Sequence, residues 1–191
     1  MTSSDAPFPP SSASGTFIAS SRVKINAPAS LVFDILTDPS TWPDWNLFVP
    51  RAVSLPSEEP ATKMKQGDKI RFLVSLPTTA GPNPKRSDTR TDELVELISV
   101  PSDEDTLKIY RANWSMIQTV TLPSFMLRCL RCNEIEVLGE DECEYRSWET
   151  FNGLAAWGLR FAAAGTLERG FNEWGEGLKK AVEDRWKAQK G

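Results

Sequence analysis

The sequence predicts an α+β domain. In it a curved antiparallel sheet of about seven strands wraps around a long C-terminal helix, and two short helices follow the first strand. Three observations carry this reading. Leu167, Phe171, Trp174, Leu178, Val182 and Trp186 recur at three- and four-residue steps, which makes one apolar stripe over about five helical turns. Most of the chain between residues 48 and 151 reads as β-prone runs broken by Pro, Gly and Asp. Helix signals also follow the first strand. A single sheet with helices on one side is the economical way to bury these apolar faces.

The elements follow in order. Thr16–Ile25 is β-prone, anchored by Phe17, Val23 and Ile25, and reads as the first strand. Pro28 then starts a helix, since proline is pre-shaped for the first turn and has no N–H to lose there. Leu31, Val32, Ile35 and Leu36 give that helix one apolar face. Asp38-Pro39-Ser40 stops it and caps a second short helix, Thr41–Trp45. Strands are expected over Phe48–Leu55, Lys69–Leu76, Thr89–Val100, Thr106–Ser115, Leu127–Leu138 and Glu144–Phe151. Pro77–Asp88 is a Pro/Gly loop of the kind found at the mouth of a site, and Gly139–Glu142 is a hairpin turn. The helical stripe closes the chain.

Composition bounds the function. The 191 residues suit one domain, 16–191, behind a Ser/Pro-rich leader, 1–15, expected to be disordered. The leader has no cationic start followed by an apolar block, so it does not read as a secretory signal, and a cytoplasmic location is expected. Asn113-Trp114-Ser115 is then an accidental glycosylation match. A net charge of -4 and no basic run argue against nucleic acid as a partner, and no run is long and apolar enough to span a bilayer. Cys129 and Cys132 have CxxC spacing, but in a strand they point to opposite faces, so no metal site is expected. The chain has no histidine, which removes His-based triads and His-based acid/base work. No nucleotide motif is present, and no cofactor is expected.

Asn26-Ala27-Pro28, Val32-Phe33, Leu36-Thr37-Asp38 and Trp42-Pro43-Asp44-Trp45-Asn46 resemble the opening of polyketide cyclase/dehydrase-type proteins. Those proteins belong to the START-like superfamily (SRPBCC) that includes the birch-pollen allergen fold. Arg131-Cys132-Asn133-Glu134-Ile135 and Trp148-Glu149-Thr150-Phe151-Asn152-Gly153 are similar to the family's last two strands, and Leu178-Lys179 fits its final helix. The resemblance covers about residues 16–186 and implies a helix-grip fold around an apolar cavity. Many relatives carry a histidine where this chain has Asn133, and asparagine cannot shuttle a proton near pH 7.

In such a fold the inward strand positions face the helix stripe. Arg131, Asn133, Ile135 and Val137 are the expected inward set of one strand, and Tyr145, Ser147, Glu149 and Phe151 that of the next. Ile70, Phe72 and Val74 are the inward set of a third. Around Tyr110 two parities stay open: Tyr110 and Trp114 inward, or Ile109, Arg111 and Asn113 inward. The expected ligand wall is Trp45, Phe48, Phe72, Tyr110, Trp114, Arg131, Asn133, Ile135, Phe151, Phe171 and Trp174. Glu149 and Tyr145 are the candidate catalytic residues, because a desolvated carboxyl has the raised pKa that proton transfer needs. The competing reading pairs Glu149 with Arg131 as a structural ion pair. Trp42 and Trp45 either plug one end of the sheet or rim the entrance. Asn46 is expected to cap a neighbouring strand or loop. The four glycines 165, 170, 175 and 177 mark close approach to the sheet, a later start to the helix, or a pliable lid.

Three functions fit. The first is a monomeric or weakly dimeric binder of a small hydrophobic molecule, such as a lipid, terpenoid or polyketide. The second is an intramolecular cyclase or dehydratase, with Glu149 moving a proton and Tyr145 or Arg131 stabilising an enolate. The third is a chaperone co-factor-like interaction module, which needs a filled interior.

Overall fold

The computed structural model describes residues 8–191. Seven antiparallel strands form one sheet in the order β1-β7-β6-β5-β4-β3-β2. They are β1 (Phe17–Ile25), β2 (Arg51–Ser54), β3 (Lys69–Pro77), β4 (Arg86–Ser99), β5 (Ile109–Met116), β6 (Arg128–Gly139) and β7 (Glu142–Asn152). Helix α1 (Ala29–Leu36) and a 3-10 turn (Pro39–Asp44) follow β1, and α2 (Leu154–Ala162) and α3 (Ala164–Lys190) close the chain. Register shifts at Val95/Leu97 and Val137/Gly139 mark irregularities in β4 and β6. Bulges of this kind bend a strand and increase its twist, which suits a sheet that curves around a helix.

Local chemistry sets the entry into this architecture. The carbonyl of Pro28 accepts the N–H of Leu31 and of Val32, opening α1. Asp38 accepts the N–H of Ser40 at 3.1 Å and so caps the 3-10 turn, as the Asp-Pro-Ser sequence leads one to expect. The buried positions of α3 are Gly170, Phe171, Trp174, Gly175, Leu178 and Val182, which is the stripe read from the sequence. A β-carbon on Gly170 would lie 2.4 Å from the Phe48 ring, and one on Gly177 would lie 2.5 Å from the Trp45 carbonyl oxygen. Close approach of the helix is therefore the reason for these two glycines.

Some boundaries differ from the sequence reading. The second strand is only Arg51–Ser54. Phe48 lies before it, where Asn46 Oδ1 accepts the N–H groups of Phe48 (3.1 Å) and Val49 (2.8 Å) and turns the chain. β4 begins three residues early, at Arg86, and shortens the preceding loop. β5 begins at Ile109 rather than Thr106, because residues 102–107 form a turn in which Asp105 accepts the Ser102 N–H. Helix α2 was not expected. Its apolar residues surround the helix and offer no single stripe. Of the leader, residues 1–7 lie outside the described residues. Residues 8–15 run over the convex face of the sheet, with Phe8 edge-on to Trp148 at 6.0 Å. No helix among the described residues is long and apolar enough to cross a membrane.

Candidate functional site

The space between sheet and helix is divided in two. One part is packed solid with aromatic rings. Trp174 of α3 meets Trp42 at 4.9 Å, Trp45 at 5.7 Å and Trp114 at 6.2 Å, and Phe72 lies 5.3 Å from Trp42. Three of these four pairs are edge-on, an arrangement that gains energy beyond the buried area. Trp42 is wholly buried, so it and Trp45 belong to this plug.

The other part is open. A cavity of about 350 Å³ lies between the inner face of β3–β7 and the start of α3. Phe48, Phe72, Val74, Leu76, Trp114, Met116 and Phe151 contribute apolar wall, and Leu159 of α2 and Leu167 of α3 cover it. This is within the usual size range for a small-molecule site. The loop after β3 is tied down beside it. Arg169 donates to the Pro77 carbonyl at 3.1–3.2 Å, and Arg86 makes a 2.6 Å ion pair with Glu173 of α3.

Besides the exposed Arg90 of β4, three charged-type side chains interrupt the apolar wall: Glu93 of β4, Arg131 of β6 and Glu149 of β7. Register explains their convergence. Trp114 is the cross-strand partner of Arg131, and Arg131 is the partner of Glu149. Glu93 belongs to the next inward row, opposite Met116. Its burial pushes its carboxyl up to about 8, helped by the nearby Glu149 charge and opposed by the Thr91 hydroxyl, which donates to Oε1 at 2.7 Å, and by Arg131. Burial likewise pushes Glu149 up to about 7, against the pull of Arg131.

The expected Arg131–Glu149 ion pair is not formed. Although the two are register partners, no ion-pair contact joins them. The guanidinium lies instead 4.1 Å over the Trp174 ring and 4.2 Å over the Phe171 ring. Its Nε donates to Ser147 Oγ at 3.1 Å, and its Nη2 is buried with no hydrogen-bond partner. The rings satisfy part of the charge and leave hydrogen-bonding capacity unused.

The other candidate residues sort by distance from this wall. Phe48, Phe72, Trp114, Arg131, Glu149 and Phe151 line the cavity. Tyr145, Asn133 and Ser147 form a closed network beside it. Tyr145 Oη donates to Asn133 Oδ1 at 2.7 Å, Ser147 Oγ donates to the same oxygen at 2.9 Å, and Asn133 Nδ2 donates to the Ala112 carbonyl at 2.8 Å. Burial holds the Tyr145 phenol above its ordinary pKa. Neither Tyr145 nor Asn133 is part of the cavity wall, and each already has its partners. Ile135, Phe171 and Trp174 are buried core, and Trp45 packs in the plug. Tyr110 and Trp114 share the inward parity, but Tyr110 stacks on Phe33 of α1 at 5.2 Å, away from the cavity. Val137 is only partly buried.

Glu93 is the functional candidate that sequence reasoning missed. In Thr-Asp-Glu-Leu-Val-Glu both parities carry a carboxylate, so alternation alone does not choose. Counting back two from Val95, which is 1% exposed, would have placed Glu93 inward.

Residues 16–183 match the family described as "Polyketide cyclase / dehydrase and lipid transport". A curated relative, oxopyrrolidines biosynthesis cluster protein O of Penicillium oxalicum, is 25% identical over 164 residues, covering 81% of this chain and 79% of the relative. Among solved structures, a hypothetical protein of Helicobacter pylori superposes with a TM-score of 0.65 at 16% identity, covering 88% of this chain and 89% of its own. A START superfamily protein of Mycobacterium smegmatis superposes with a TM-score of 0.52 at 16% identity, covering 90% and 98%. The sheet, its gripped helix and the match along most of the sequence agree, and the chain belongs to the polyketide cyclase/dehydrase and lipid transport family, with the helix-grip fold of the START-like superfamily.

Proposed function

We propose that this protein binds a small, mostly apolar molecule with an oxygen-bearing head group in the cavity beneath α3. The observation that carries this reading is the makeup of the cavity. Its walls are largely apolar, and Arg131, with an unpartnered buried Nη2, stands beside two carboxyls in that wall. A desolvated donor without a partner favours a ligand that supplies an acceptor, such as a carbonyl or carboxylate. The cavity also favours a small-molecule role over an interaction module, which needs a filled interior. A relative that belongs to a biosynthesis cluster supports a product or intermediate of secondary metabolism as the ligand class.

The test is native mass spectrometry of protein purified from its own host, with Leu167→Trp as the comparison. The indole would fill the cavity from the α3 side. An apolar small molecule should accompany the original protein and be lost from the variant. Ligand retained equally by the variant would place the binding site elsewhere. A second reading, an enzyme of cyclase or dehydratase type, is favoured by one observation: Glu149 faces the cavity with its carboxyl near 7. Glu149→Gln would then keep binding and lose turnover of the identified molecule.

A further inference from the structure

We propose that Glu93 and Glu149 act as an acid and base on one bound carbonyl compound, with Arg131 between them, so that the cavity interconverts ketone and enol. This rests on the cavity being the ligand site and names the chemistry performed there.

The geometry supplies the parts. Glu93 enters from β4 and Glu149 from β7, with β5 and β6 between them, so the two carboxyls reach the cavity from separate walls. Arg131 on β6 also lines it, and its buried Nη2 has no partner. One Glu93 oxygen accepts the Thr91 hydroxyl, which leaves the other free to carry a proton. Arg131 is fixed by Ser147 and by two aromatic faces, so it does not need to reorganise when charge develops nearby. Burial raises the proton affinity of both carboxyls, and the nearby Glu149 charge raises that of Glu93 further, so Glu93 holds the proton while Glu149 is ionised. Two carboxyls whose surroundings separate their proton affinities divide the roles of acid and base.

The step balances within the site. The Glu149 carboxylate takes a proton from the carbon beside the carbonyl. The C–H electron pair becomes the C=C bond, and the C=O pair moves to oxygen. Glu93 gives its proton to that oxygen, which lies against Arg131. Glu149 ends as the acid and Glu93 as the carboxylate, and the reverse step restores both. No oxidant, metal or cofactor takes part.

The probe is 2-tetralone, a small apolar ketone, in D2O at pH 7.5. Deuterium entry beside the carbonyl is followed by proton NMR, and binding is measured separately by saturation transfer. The expected result is exchange at least tenfold above buffer with the original protein. Glu149→Gln should lose it to background, and Glu93→Gln should lose most of it, as removal of an acid/base or oxyanion-donor contribution requires. Both variants should still bind. Glu149→Asp keeps the carboxyl but withdraws it by one methylene, and it should exchange at an intermediate rate. Binding without exchange by the original protein overturns the proposal and leaves the ligand site standing. Unchanged exchange in either glutamine variant overturns it as well. Failure of the original protein to bind the ketone at all removes the reading on which the proposal rests, and the proposal with it.

Discussion

Glu93 makes the fold pH-sensitive in a direction that can be worked out in advance. Its carboxyl stands near 8 in the folded protein against an ordinary 4.5. Between those values the folded state keeps the proton and the unfolded chain has lost it. The unfolded chain therefore binds fewer protons, and stability falls as pH rises from about 4.5 to about 8. At about 1.4 kcal/mol per tenfold difference in proton affinity, the full effect is on the order of 5 kcal/mol by pH 8. Relaxation and water entry into the cavity reduce this, and about half is the working expectation. Glu93→Gln keeps the shape of the protonated side chain and does not titrate. It should change stability little at pH 4.5 and raise it by about 2–5 kcal/mol at pH 8. For a chain of this size that corresponds to a Tm higher by roughly 5–15 °C. Thermal and urea unfolding of both proteins at the two pH values measure it. A gain of equal size at both, or a loss at pH 8, would show that Glu93 does not hold a proton inside the fold.

Other consequences follow from named contacts. Arg131 lowers both carboxyls, so Arg131→Met should move the Glu149 midpoint above 7, visible by carbon NMR of labelled glutamate; a fall would contradict the assigned electrostatics. Tyr145→Phe removes one of two donors to Asn133 Oδ1 and should cost about 1 kcal/mol in unfolding experiments while leaving ligand affinity unchanged. Gly177→Ala places a methyl 2.5 Å from the Trp45 carbonyl and should destabilise by about 1–3 kcal/mol. A methyl at Gly158 of α2 meets nothing within 4 Å, so Gly158→Ala should gain up to about 1 kcal/mol. Equal effects at the two glycines would remove close approach as the explanation.

The gripped helix was legible because its stripe is long and unbroken from Leu167 to Trp186. The inward faces of β6 and β7 were legible because each carries a run of large or polar residues at strict period two, as in Arg131-Cys132-Asn133-Glu134-Ile135. The site was less legible. Periodicity says which residues face inward, but not which inward residues meet an open space and which meet a ring. Trp174 and Phe171 face inward and are consumed by packing, and Tyr145 and Asn133 satisfy one another. Arg131 could be placed, but its choice of aromatic faces over Glu149 depends on where α3 sets Trp174. Helix α2 was not legible because Gly158 and an apolar circumference hide its period.

The unequal filling of the interior separates two kinds of heritable change. Substitutions among Trp42, Trp45 and Trp174 act on a solid ring cluster, where a lost methylene opens a void and the whole domain loses stability. Substitutions at the partly buried Leu76, Leu159 or Leu167 reshape a space that is already open, and they alter what fits with little loss of stability. A lineage can therefore explore new ligands at the cavity end while the tryptophan end keeps the chain folded.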